Sequence, residues 1–266
     1  MPNSQHRSVP ENSGPELTHD KNLRLDQLLV ERGFFATRSR ARDAIARSTV
    51  TVSGKIITKP GQNVAYEAQI AVNDPASAYV SRAALKLVAA LDHFGLDVTG
   101  RTALDIGAST GGFTQVLLER GAAHVLAIDV GHDQLHASLR HDPRVTVREG
   151  LNARNLTQAE LEGRSIDCVV SDVSFISLKL ALPPALALAQ KDAICALLVK
   201  PQFEAGREAI GKGGILRDPS DGERIAEELK TWLETQPGWH ALGLCPSPIE
   251  GGDGNREYLL AGRKDH

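Results

Sequence analysis

The sequence predicts an α/β protein in which a doubly wound, mostly parallel sheet follows a small basic α+β unit. Three observations point there. From Val80 onward short apolar runs alternate with helical stretches. One of those runs, Leu104 to Phe113 (LDIGASTGGF), passes from a strand into a Gly-rich turn and then a helix. Between Lys21 and Pro60 nine basic residues face three acidic ones, in a chain whose formal charge is −3.

Residues Met1 to Asn22 carry prolines, serines and charges without periodicity and read as a disordered tail. In LRLDQLLVERG, Leu25, Leu28 and Leu29 recur at helical spacing before Gly33, and SRARDAIARS makes a second short helix after Thr37. TVTV, the SGK turn and KIIT form a hairpin, KPGQNV a turn, and AQIAV another strand. This unit spans 23–72, and 73–80, with NDPASAY, is a linker. The domain from 81 to 266 runs through a helix SRAALKLVAAL, strand TALDI, a helix after Gly112, and strands HVLAID, VTVRE and IDCVVSD. A Leu/Ala-rich segment, strand AICALLVK, a helix around Asp221 to Glu234, and late strands around Trp239 and Tyr258 complete it. Parallel strands need crossovers, and helical crossovers bury the sheet on both faces.

Composition excludes several classes. Hydrophobic residues at 41% and charged residues at 24% fit a folded soluble protein. The stretch Ile176 to Ala189 is interrupted by Lys179 and Pro183-Pro184, whereas a spanning helix needs about 20 apolar residues, so no membrane partner is expected. The first residues lack the apolar run of a secretory signal, which predicts a cytoplasmic protein. Cys168, Cys195 and Cys245 have no metal-ligand spacing, so no metal and no disulfide framework are expected; Cys168 and Cys195 read as small hydrophobes in buried strands. The basic surplus of the first unit suits a polyanionic partner, because a cationic stripe releases counterions from a phosphate backbone.

The chemistry collects at predicted strand ends. The Gly-rich turn after TALDI is not a phosphate-binding loop, since no Gly-Lys-Ser/Thr follows, and it is not GxGxxG. It is either a tight turn or the place where a nucleotide-like ligand meets helix N-terminal amides. Asp129 ends the next strand and either receives ribose hydroxyls or caps a helix. Asp172 and Lys200 close two further strands that open onto the same crevice. Lys86 lies on the polar side of its helix, opposite an arc of Leu and Ala, where a solvated lysine is the plain alternative. Glu257 and Glu250 compete as the carboxylate near the last strand.

Together these segments closely resemble the TlyA (hemolysin A-like) family, in which an S4 RNA-binding domain precedes a methyltransferase domain similar to the FtsJ-type RNA 2′-O-ribose methyltransferases. RLDQLLVERGFFATRSRARDAI and VTVSGKIITKPG look like the first domain. SRAALKL, LDIGASTGGFTQVLLERGA, SDVSFISL, LVKPQFEAG and SPIEGGDGNREYLL look like the second. The resemblance implies a Rossmann-like, S-adenosylmethionine-dependent methyltransferase fold and a catalytic tetrad of Lys86, Asp172, Lys200 and Glu257, the last because it fits the Gly-Asn-x-Glu pattern. It implies S-adenosylmethionine as cofactor, with Asp105, Gly107, Ser109, Gly111, Gly112 and Phe113 around its methionine portion, Asp129 at the ribose and Asn152 near the adenine. Two departures stand out: Ala83-Ala84 where the family often has Gly-Gly, and Ser48 where it often has Gly.

The implied activity is 2′-O-methylation of cytidine in 16S and/or 23S ribosomal RNA. Lys200 would be base or alkoxide stabiliser, Lys86 would position the ribose, and the carboxylates would orient the lysines. Arg24, Arg38, Arg40, Arg42, Arg47, Lys55, Lys59 and Arg82 are the candidate RNA contacts, although Arg38 and Arg42 fall on one side of their helix and Arg40 and Arg47 on another. A catalytically silent assembly factor, a cytolysin and a small-molecule methyltransferase are the competing readings. The intact tetrad, the lack of an amphipathic or spanning segment, and the basic first unit argue against them in turn. Target nucleotide, subunit and oligomeric state are left open.

Overall fold

The computed structural model describes residues 22–266. The expected tail lies outside the described residues except for Asn22, which opens a strand. By internal contacts the chain divides into two units at Pro75/Ala76.

The first unit contains β1 (Asn22–Arg24), α1 (Leu25–Glu31), α2 (Arg38–Ala46), β2 (Val50–Val52), β3 (Lys55–Ile56), β4 (Asn63–Ala65) and β5 (Ile70–Val72). Leu25, Leu28, Leu29, Ala41, Ala44, Ile45 and Val50 form its core. Thr37 caps α2 by accepting from the Arg40 amide. The expected hairpin is β2–β3, with β5 completing an antiparallel sheet on the other edge of β2. A second pairing was not expected: β1 runs antiparallel to β4, so Leu23 is a strand residue and part of the expected KPGQNV turn is a strand. Three residues per strand, joined across forty positions, leave no alternation for a sequence reading to detect.

Asp26 is the polar centre of this unit. Its fully buried carboxylate receives Arg24 at 3.1 Å and Arg38 at 2.8 Å. Burial pushes the carboxyl up, but the two guanidinium groups outweigh it and hold the group below the usual range. Asp74, also buried, receives Arg47 at 2.8 Å, and Asn73 donates to the Thr49 carbonyl, so the start of the expected linker is held to this unit.

The second unit carries α3 (Ala84–Phe94), β6 (Thr102–Ile106), α4 (Gly112–Glu119), β7 (His124–Ile128), α5 (Ala137–Arg140), β8 (Val145–Arg148), β9 (Ile166–Ser171), α6 (Leu178–Ala181) and α7 (Pro183–Leu188). It continues with β10 (Ala189–Val199), α8 (Pro201–Glu204), α9 (Asp221–Glu234), β11 (Trp239–Pro246) and β12 (Tyr258–Lys264). Its seven-stranded sheet has the order β11-β12-β10-β9-β6-β7-β8. β10, β9, β6, β7 and β8 pair in parallel, and β12 is antiparallel to both neighbours.

Alternate residues of each strand feed opposite cores. Leu104, Ile106, Val169 and Leu197 pack with α6, α7 and α9, whereas Ala103, Cys168, Val170 and Leu198 pack with α3, α4 and α5. This period of two explains why the strands read as unbroken apolar runs. The C-terminal strand is fastened by Lys264, whose buried ammonium donates to the carbonyls of Leu186 (3.0 Å), Ala187 (3.3 Å) and Ala189 (2.7 Å) around the end of α7. Cys168 and Cys195 are buried free thiols. No described helix is long and apolar enough to cross a membrane.

The two departures from the family pattern have different consequences. Ala83 and Ala84 take right-handed helical conformations at the start of α3, where Ala is at no disadvantage. Ser48, just past the end of α2, has φ of 63°, the left-handed region that favours glycine. Ser48→Gly is expected to stabilise the first unit by about 0.5–1 kcal/mol and Ser48→Val to destabilise it, read from chemical denaturation of the whole chain. Asp26→Ala is expected to cost about 2–4 kcal/mol, since it removes the buried partner of two cations. A carboxyl whose folded pKa is depressed contributes above its unfolded value near 3.8 and ceases to do so as pH falls through the folded value. The wild type should therefore lose this increment only below about pH 4, where its denaturation curve should approach that of the variant.

Candidate active site

The sheet register assembles the site. Ile106 pairs with Ile128 on one side and with Ser171 on the other, so Gly107, Asp129 and Asp172 leave adjacent parallel strands at one edge. Lys200 follows Val199 at the same edge, and Val199 pairs with Tyr258 of antiparallel β12, which sets Glu257 beside Lys200 from the opposite chain direction. α3 packs over β10 and β12 and delivers Lys86.

The four predicted side chains meet as two ion pairs. Lys86 Nζ lies 2.5 Å from Glu257 Oε2, and Lys200 Nζ lies 2.6 Å from Asp172 Oδ1. Lys200 also donates to Ser174 Oγ at 2.8 Å. Lys86, Lys200 and Glu257 are nearly fully buried, so the plain alternative for Lys86, a solvated lysine, does not apply. Burial pushes the Glu257 carboxyl above the ordinary glutamate value, against the opposing pull of Lys86 and Lys200. Glu250 is exposed, and Glu257 is the carboxylate that reaches Lys86.

Local geometry explains the Gly-Asn-x-Glu segment. Asn255 is buried; its Nδ2 donates to the Gly214 carbonyl at 2.9 Å and its Oδ1 accepts from the Leu216 amide at 3.2 Å. A Cβ on Gly251 would stand 2.9 Å from Glu257 Oε1, so glycine leaves room for the carboxylate.

Two clefts flank the ion pairs. One, of about 590 Å³, is lined by Gly107, Ser109, Asp129, Asn152, Asp172 and Phe175, among others. The second, of about 400 Å³, is lined by Lys86, Lys200, Glu257, Gln202, Phe175 and Phe203, with backbone from Gly213 and Gly214. Ser174 and Phe175 belong to both walls. Asp129 caps no helix: its two oxygens accept from the amides of Ser109 (2.8 Å) and Gly131 (2.7 Å), which ties the turns after β6 and β7 together.

The other residues expected around a cofactor take different positions. Asp105 is fully buried behind the turn; its Oδ2 accepts from Thr114 Oγ1 at 2.6 Å and its Oδ1 has no partner among the described residues. Burial pushes this carboxyl up to about 7, opposed by the Thr114 hydroxyl and reinforced by Asp172 and Asp129. Gly111 and Gly112 make room for the protein itself: a Cβ on Gly111 would lie 2.3 Å from Leu139 Cδ1, and one on Gly112 would lie 3.1 Å from the Ala84 amide nitrogen. Phe113 is a core residue beside α3. A Cβ on Gly107 would be 2.9 Å from the Asp172 carbonyl, so glycine there lets the β6 and β9 turns close on each other.

Sequence reasoning missed the loop after Asp172. Phe175 is 90% exposed with φ of 64°, and its ring lies 5.0 Å from that of Phe203. The loop is held at both ends, by Lys200 on Ser174 and by Glu204, whose oxygens receive the Ser177 hydroxyl at 2.5 Å and the Leu178 amide at 2.7 Å. In SDVSFISL the serines and the single aspartate around Phe175 are the only signal that separates it from a core Phe.

Of the candidate RNA contacts, Arg24, Arg38 and Arg47 are engaged by buried carboxylates. Arg42, Lys55 and Lys59 are exposed and make no ion pair among the described residues. Arg40 and Arg82 are half-buried.

Comparison with known proteins matches the FtsJ-like methyltransferase family over residues 79–264 and the S4 domain over residues 23–70. The chain is 46% identical over 241 residues to the Mycobacterium tuberculosis protein 16S/23S rRNA (cytidine-2′-O)-methyltransferase TlyA, covering 90% of this chain and 89% of the relative. It is 39% identical to Hemolysin A of Brachyspira hyodysenteriae, covering 89% and 98%. A solved structure from Streptococcus thermophilus, provisionally designated a hemolysin, superposes with a TM-score of 0.71 at 38% identity, over 92% of this chain and 90% of that one. With an S4 domain, an FtsJ-like domain and paired lysines and carboxylates at one sheet edge, the chain belongs to the TlyA (hemolysin A-like) family of FtsJ-like methyltransferases.

Proposed function

We propose that this protein transfers a methyl group from S-adenosylmethionine to the ribose 2′-hydroxyl of a cytidine in ribosomal RNA. The observation that carries the reading is the meeting of two clefts at a wall flanked by the Lys86–Glu257 and Lys200–Asp172 pairs. Cytidine and the choice of ribosomal RNA follow the relative from Mycobacterium tuberculosis, whose name specifies both.

The larger cleft fits the cofactor's chemistry. Asp129, Asn152 and the Gly107–Ser109 turn line it and would hold the nucleoside, while Asp105, buried behind that turn, would add a negative field toward a cationic ligand without touching it. S-adenosylmethionine supplies, when bound, a methyl group made electrophilic by its sulfonium. This chain's residues do the rest. The smaller cleft receives the nucleotide, and Phe175 offers an exposed aromatic face to a base turned out of its stack. Lys86, fixed by Glu257, positions the ribose. Lys200, fixed by Asp172 and Ser174, would set its ammonium beside the reacting oxygen and stabilise the alkoxide as the hydroxyl proton passes to solvent and the methyl group bonds to oxygen, leaving a neutral thioether. Holding the reactants in line can contribute on the order of 7–11 kcal/mol, so much of the catalysis is orientation. The exposed cations Arg42, Lys55 and Lys59 of the first unit supply phosphate contacts.

Two outcomes test the reading. Purified protein is expected to transfer radiolabelled methyl from S-adenosylmethionine to ribosomal subunits or naked ribosomal RNA, with the label in ribose. Lys200→Ala should lower kcat by at least about 10²–10³-fold while cofactor affinity stays near wild type. Label on a base, or a variant with wild-type turnover, would contradict it. Asp105 is expected to make cofactor binding pH-dependent: a nearby cation favours the ionised carboxyl, so affinity should rise with pH through about 7. Calorimetric titration between pH 5.5 and 8 should show the slope, and Asp105→Asn should flatten it.

A further inference from the structure

Gln202 is a buried polar side chain of the smaller cleft that the mechanism above leaves idle; the other idle polar group there, Asp253, accepts from Asn255 Nδ2 at 3.1 Å. It follows Lys200 by two residues on α8, is 7% exposed, and lines the cleft with Lys86, Lys200 and Glu257. Its amide is unpaired among the described residues: Oε1 is occluded from solvent without a donor, and Nε2 makes no hydrogen bond and is not fully occluded. The accessible polar end of this buried side chain is thus a neutral N–H₂ donor. Buried amides are nearly always hydrogen-bonded, so one left empty beside a reacting group marks a place where a ligand completes the pairing.

The neighbours set the class of ligand. Lys86 and Lys200 are engaged by carboxylates, so Gln202 adds a donor without adding charge. Phe175 and Phe203, 5.0 Å apart, form the aromatic side of the same cleft. A neutral donor beside an aromatic face matches the edge of a planar heterocycle that presents acceptor atoms. Cytosine does so with O2 and N3, and an unstacked base is read by hydrogen bonds to its edge together with stacking on its face. We propose that Gln202 is a specificity-determining residue whose Nε2 donates to the acceptor edge of the target nucleobase. The inference rests on the reading of the chain as a ribose methyltransferase and deepens it: the lysines handle the ribose and Gln202 handles the base.

The test uses the full chain with ribosomal RNA or subunits as acceptor, and compares wild type with Gln202→Met, which keeps length and volume but removes both polar atoms. KM for RNA is expected to rise about tenfold, the order of one lost hydrogen bond, with the cofactor Kd unchanged and the thermal midpoint unchanged or raised. Gln202→Glu, similar in shape but without the donor, should also weaken RNA use. An active wild type with an unaltered KM in the Met variant would overturn the role of Gln202 alone. A lowered midpoint with weakened cofactor binding would also overturn it, by showing that the amide is structural. A wild type that methylates no ribosomal RNA would instead overturn the functional reading, and this proposal with it.

Discussion

Two lysine ammonium groups at a sheet edge can be buried only if something neutralises them there. An unpaired charge removed from water is penalised by several kcal/mol, and the protein meets this by delivering one carboxylate to each lysine. The partners come from different elements: α3 with the turn before β12, and the end of β10 with the end of β9. Much of the second unit follows from that requirement. β12 must run antiparallel so that its first residues, rather than its last, stand beside Lys200, and Gly251 must lack a Cβ so that Glu257 fits. Each ammonium is thereby fixed in place by a carboxylate from a neighbouring element.

The sequence conveyed the architecture because both of its periodicities were strong. The doubly buried strands appear as apolar runs, the helices as amphipathic stretches, and their alternation admits few topologies. The tetrad was visible only through the resemblance to a family. Lys86 taken by itself reads as a solvated lysine, because helical periodicity reports which face is polar and not that the polar face is covered by another loop. Glu257 could be separated from Glu250 only by motif, whereas in three dimensions the distinction is burial. The glycine-rich turn was legible as a turn, but the neighbours of its glycines were not: a side chain on Gly111 would meet Leu135 and Leu139, one on Gly112 would meet Ser81 and the start of α3, and a sequence cannot say what approaches a glycine.

The basic unit shows the opposite difficulty. Its charge surplus is obvious, yet Arg24, Arg38 and Arg47 are spent on Asp26 and Asp74, so the surplus counted along the chain overstates what the surface offers to phosphate. The pairings run across twelve and twenty-seven positions for Arg38 and Arg47 and leave no local pattern. Among the described candidate contacts, those in no ion pair, Arg42, Lys55 and Lys59, come from a helix and from the hairpin and its following turn. In the proposed function this small set adds affinity for a polyanion and leaves the choice of nucleotide to the clefts.

That division of labour gives meaning to the local violations of good folding. A Phe held at positive φ, 90% exposed, and a buried amide without partners are both unfavourable for the isolated protein. Both line the smaller cleft. Their neighbours constrain them: Lys200 and Glu204 pin the ends of the Phe175 loop, and Gln202 lies between those same two residues on α8. One short segment, Lys200 to Glu204, therefore carries the lysine proposed to act on the ribose, the unpaired amide, the second aromatic ring and the anchor of the Phe175 loop. Displacing α8 would move all four together.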